Sequence, residues 1–192
     1  MRKFFLLMTF FALIAASALA GQTTRVELLN GVYSVIAPNN WHVEEADNGA
    51  FVAFSPTGGS PMSVLFTAPN PTVEGEIAEY AGVIMGVLFN SLGGGQVTYE
   101  EETDLDGHPA IMFHFTIADE LAGGLAIVCD IEGYAVLTIA LAPTEDLEEF
   151  LETAVPIMAS LEIDLDEAED NRDLLESLAE SLLEELVKEL TN

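Results

Sequence analysis

The chain has 192 residues, 33 Asp and Glu against 5 Lys and Arg, one cysteine, and half its residues hydrophobic. A mean hydropathy of +0.35 with 11 Phe excludes a disordered chain, and the length suffices to bury a core. A formal charge of −28 repels nucleic-acid phosphates and anionic lipid headgroups, so nucleic-acid binding is excluded.

Met1-Arg2-Lys3 forms a positive start, Phe4 to Ile14 an apolar run, and Ala18-Leu19-Ala20 a set of small residues before Gly21. These predict a signal peptide over 1–20 and export to the periplasm or beyond. No later stretch reaches about 18 uninterrupted apolar residues, so no membrane span is expected after leader removal. Cys129 has no partner for an internal disulfide. Following the apolar run Leu125–Val128, it reads as a small buried hydrophobe.

Strand signals follow at Val32–Ala37, closed by Pro38, then at Trp41–Glu45, Ala50–Phe54 and Met62–Ala68. Asp47-Asn48-Gly49 and Ser55-Pro56-Thr57-Gly58-Gly59 supply the turns. The spacing of Ile77, Tyr80, Ala81, Ile84 and Leu88 predicts a helix over 73–91. Ala81–Phe89 is apolar nearly all round, which predicts deep burial. Gly82 and Gly86, one turn apart, predict close approach of another backbone. Gly93-Gly94-Gly95 ends the helix.

Four strands come next: Val97–Leu105, Pro109–Ala118, Leu121–Ile131 and Tyr134–Ala142. Asp106-Gly107 and Glu132-Gly133 read as tight hairpin turns. Ile111, Phe113, Phe115 and Ile117 share one face, with Met112, His114 and Thr116 on the other. The last two strands are apolar on both parities, so both faces of the sheet are expected to be covered. Pro143-Thr144 then opens a helix with Thr144 as the expected N-cap. Leu147, Phe150, Leu151, Ala154 and Met158 form its stripe, and Pro156 is expected to kink it or end it early.

The composition shifts near Ile163–Asp164. Residues 21–163 hold one cation, Arg25, whereas 164–192 hold 11 acids, two cations and a run of leucines. We therefore expect a globular domain over 21–163 and an acidic amphipathic helical extension over 164–192. A chain ending near Asp164 is expected to keep its fold. The fold class is α+β, an antiparallel sheet covered by helices.

The order Tyr33-Ser34-Val35, Pro38-Asn39-Asn40-Trp41, Phe54-Ser55-Pro56, Asp106-Gly107-His108-Pro109-Ala110, Gly133-Tyr134, Ala142-Pro143 and a closing Ala159-Ser160-Leu161 resembles the Mog1/PsbP-like family. That family includes photosystem II PsbP proteins and bacterial DcrB-like exported proteins. The resemblance covers about residues 26–163. It implies an α/β/α sandwich, with helices on both faces of an antiparallel sheet, and a binding or assembly role without catalysis. The acidic extension stands outside the pattern.

His42, His108 and His114 are the candidate general bases. His108 and His114 lie six residues apart on one strand. That separation is about 20 Å, too far for a shared metal. No nucleophile elbow, zinc-helix motif or phosphate loop is present. Glu100–Gly107 lacks the alternating ligands and closing Glu of a calcium loop and reads as a hairpin. Trp41 reads as a core anchor. No cofactor, metal or catalytic residue is expected.

On a helical wheel Leu175, Leu178, Leu182, Leu186 and Leu190 fall on one side. Glu169, Asp173, Glu176, Glu180 and Glu184 fall on the other. The acidic face argues against membrane binding. The leucines are the candidate contact residues, packing on their own domain, on a second copy or on a protein partner. The leading expectation is an exported, non-enzymatic module of the bacterial cell envelope that works through protein contacts. The alternative is a small-molecule or lipid carrier with a cavity between helix 73–91 and the sheet.

Overall fold

The computed structural model describes residues 23–46, 49–71, 77–91, 93–105, 107–117 and 121–180. The expected leader 1–20, the turn residues 47–48 and the first turn of helix 73–91 lie outside them.

Eleven strands are described: β1 Thr23–Leu28, β2 Tyr33–Pro38, β3 His42–Glu45, β4 Phe51–Ser55, β5 Ser63–Thr67, β6 Asn70–Pro71, β7 Gly95–Leu105, β8 His108–Ile117, β9 Ala122–Ile131, β10 Tyr134–Pro143 and β11 Glu162–Ile163. The helices are α1 Ile77–Ser91, α2 Leu147–Met158 and α3 Leu165–Asp170, followed by a helical stretch over 172–180. One sheet runs β3-β4-β5-β10-β9-β8-β7, with β6 also paired to β10, and a smaller one runs β1-β2-β11. Every pairing is antiparallel. The fold is α+β.

The hairpins follow from local chemistry. Ile131 pairs with Tyr134 across Glu132-Gly133, whose φ values of 53° and 89° suit the tight turn that matches strand twist. Asp130 Oδ1 accepts the Gly133 N–H at 2.9 Å and holds that turn shut. Leu105 pairs with His108 in the same way, with Asp104 Oδ1 accepting the Gly107 N–H at 3.3 Å.

Strand parity divides the interior into two clusters. Ile111, Phe113, Phe115, Ala126, Val128, Leu137 and Ile139 pack with Ala81, Ile84 and Met85 of α1. The alternate residues Ala110, Met112, Leu125, Ile127, Cys129 and Val136 pack with β2 and with Phe150, Ala154, Ile157 and Met158 of α2. The two-sided apolarity of β9 and β10 is thereby used on both sides. Trp41 does anchor this second cluster, stacking on Phe150 with centroids 6.1 Å apart and planes 8° off parallel.

Three local expectations change. Helix α1 is buried along one side only: Val83 is 52% exposed, and a Cβ on Gly82 or Gly86 would meet nothing within 4 Å. Both glycines face outward, so no close backbone approach explains them. Helix α2 starts at Leu147 with Asp146 at its cap, not Thr144, whose N–H is held by the Leu121 carbonyl at 3.1 Å. Pro156 neither ends nor shortens α2 there; the helix runs on to Met158, because only its last turn follows. The small sheet is an addition. β1 was not expected: its Thr24, Arg25 and Glu27 are exposed, which hides the strand pattern.

The core does not stop at the expected boundary. Asp164 Oδ1 accepts the N–H groups of Asp166 and Glu167, both at 3.2 Å, and so caps α3. Beyond this cap, Ala168 and Leu175 are fully buried in the cluster beneath α2.

Candidate functional site

The five candidate contact leucines divide into two groups. Leu175 is 0% exposed and Leu178 is 8% exposed, both covered by this chain's own domain. Tyr134 Oη, at the β9–β10 hairpin, donates to Glu169 Oε2 at 3.3 Å and ties this region to the large sheet. Arg172 bridges Glu169 and Glu176 at 3.3 and 3.1 Å. Leu182, Leu186 and Leu190 lie outside the described residues.

The chemistry-bearing side chains do not converge. His42 on β3 is exposed and lies 3.1 Å from Glu44 Oε1 through its Nε2. His108 opens β8 at the hairpin mouth. His114, farther along β8, is half-buried, and burial lowers its pKa below the ordinary value. The ring of Tyr99 on β7 meets it edge-on, with centroids 5.9 Å apart. Cys129 is buried, and its thiol is pushed up to about 12, first by burial and then by the Asp130 charge. Among the described residues no group of three or more His, Cys, Asp or Glu is placed to hold a metal.

Two buried hydroxyls stand out that the sequence did not flag. Among the described residues, Tyr33 Oη and Thr138 Oγ1 have no hydrogen-bond partner. The Tyr33 pKa is pushed up by burial first and by the Glu45 charge second. Neither adjoins a nucleophile or a histidine pair.

The most open continuous feature is β7. It forms one end of the large sheet, runs eleven residues and is exposed along most of its length. Glu100, Glu101, Glu102 and Asp104 all lie on it and are exposed. The register shifts between Val97 and Tyr99, and Thr98 Oγ1 donates to the His114 carbonyl at 3.1 Å. Tyr99 Oη donates to Glu101 Oε2 at 2.8 Å, which fixes the half-exposed ring beside the acids.

No helix among the described residues is long and apolar enough to cross a membrane. No protein-family model matches the sequence, and no curated protein matches it either. Solved structures do match. The solution structure of cyanobacterial PsbP (CyanoP) from Synechocystis sp. PCC 6803 superposes with a TM-score of 0.60 at 13% identity, over 74% of this chain and 93% of that one. A protein of unknown function from Pseudomonas aeruginosa, PA94, described as a putative regulator, gives 0.50 at 15% identity, over 75% and 99%. At such identities the likeness concerns the backbone path. With its antiparallel sheet, its two-sided core and its agreement with CyanoP, the chain has the Mog1/PsbP-like fold.

Proposed function

We propose that this chain is an exported, non-enzymatic module of the bacterial cell envelope, with a helix on each face of its main sheet, that binds a protein partner. The observation that carries the reading is the dispersal of reactive groups. The three histidines occupy separate positions on β3, the hairpin mouth and mid-β8, and the one cysteine is a buried, neutral thiol. Acid–base or nucleophilic catalysis needs such groups within hydrogen-bond reach of one another. The fold shared with CyanoP agrees with this reading, as does the leader-like start of the sequence.

The interface between α1 and the sheet is lined by Ala81, Ile84 and Met85 against Ile111, Phe113 and Val128, all buried. That packing favours a module over a carrier. Crosslinking in the native envelope, followed by purification through this chain, tests the proposal. A reproducible protein crosslink is the expected result. A small molecule retained in native mass spectrometry, with no protein crosslinked, would replace the module with a carrier.

A further inference from the structure

We infer that the β7 edge, over Tyr99–Leu105, is the docking surface for a basic, extended segment of a partner protein, which adds to the large sheet as a further strand. The inference rests on the protein-binding reading above and names the surface and the partner's chemistry.

An edge strand carries backbone donors and acceptors along its outer side, which a new strand can pair with. The opposite edge, β3, has only four residues, whereas β7 has eleven. Beyond the irregularity at Thr98, β7 pairs in unbroken register with β8 from Tyr99 to Leu105. Its outer side is therefore straight enough to template a strand.

Register also fixes where the charges lie. Glu100 and Glu102 sit opposite Phe113 and Ile111, on the α1 side of the sheet. Glu101 sits opposite Met112, on the other side. An added strand thus meets carboxylates on both faces. Lys or Arg is favoured at either parity, since opposite charges across neighbouring strands attract and like charges repel.

A second copy is the wrong occupant. Pairing β7 with itself in antiparallel register sets Glu100, Glu101 and Glu102 beside the same residues of the other chain. The acids therefore act selectively, rejecting self-association while leaving the edge open to a cation-rich strand. The Tyr99 ring, held by its bond to Glu101, offers a face for a Lys or Arg side chain.

The test uses the full chain and a short synthetic peptide of alternating Lys and Val, with a Glu-for-Lys version as control. The Lys peptide is expected to bind, to slow amide hydrogen exchange within β7, and to bind about tenfold more weakly after Glu100→Gln/Glu102→Gln. The control peptide is expected not to bind. The Gln pair keeps side-chain shape, and its melting temperature confirms folding. Binding without protection in β7, or equal binding by the Gln variant, overturns the inference. The native envelope separates the two levels. A partner crosslinked equally by parent and Gln variant removes the β7 surface and leaves the module standing. No crosslink to either removes the module, and the β7 surface with it.

Discussion

Gly124 shows how much one missing side chain decides. A Cβ there would lie 2.5 Å from the Ala140 carbonyl oxygen and 2.5 Å from the Phe115 ring, which crosses directly over it. Gly124→Ala is expected to destabilise the fold by about 1–3 kcal/mol, because neither β10 nor the ring can retreat cheaply. Chemical denaturation measures it. Burial also sets the two titrations that matter. Cys129, with its thiol pushed up to about 12, stays protonated at neutral pH, so a thiol reagent is expected to react only at the rate of unfolding. Prompt labelling of native protein would contradict the burial. His114 titrates below the ordinary 6.5 because burial disfavours its cation. The unfolded chain then binds the proton first as pH falls. The neutral ring therefore contributes stability above about pH 6.5 that is lost as pH drops through the folded value. His114→Gln removes that dependence, and the stability gap between parent and variant should close on acidification.

At the scale of elements, the C-terminal helices carry the largest difference between expectation and structure. Leucines on one stripe and acids on the other describe a helix seeking a surface, and Leu175 finds it in the chain's own core beside Ala168. Leu175→Ala is expected to cost about 2–5 kcal/mol, the range for removing a fully buried leucine. Ending the chain at Asp164 removes Leu175, Ala168 and the Glu169 acceptor of Tyr134 together. The structure thus replaces the expectation of an indifferent truncation with a clear loss of melting temperature. An unchanged melting temperature would return these helices to the role of an extension. Helix α1 differs in the other direction. Its all-round apolar sequence suggested burial on every side, yet it lies on one face of the sheet with Val83 outward.

For the whole molecule, charge is the dominant long-range term. The formal charge is −28, and the cations Arg25 and Arg172 are each already engaged, Arg25 with Glu162 and Arg172 with Glu169 and Glu176. The remaining carboxylates repel across the surface, and dissolved salt screens that repulsion. The melting temperature is therefore expected to rise between about 0.05 and about 2 M NaCl, well beyond the range over which a balanced surface responds. A flat profile would show that the acids are too far apart, or too well hydrated, to oppose folding.

Composition, turn chemistry and strand parity were enough to read the α+β class, the Asp106-Gly107 and Glu132-Gly133 hairpins, the two faces of β8 and the burial of Cys129. These depend on contacts close in the chain, or on an alternation that only a two-sided sheet satisfies. The small sheet was not legible. β1 is a mostly exposed edge and β11 is two residues long, so each exists only because β2 is there to pair with. The dispersal of His42, His108 and His114 was legible only for the pair on one strand, since the distance to His42 depends on strand order. The same holds for β7. Its run of acids is plain in the sequence, but only the order of strands places it at an open edge. Whether the Leu175 stripe faces inward or toward another molecule is likewise decided by the surface it meets, not by its own periodicity.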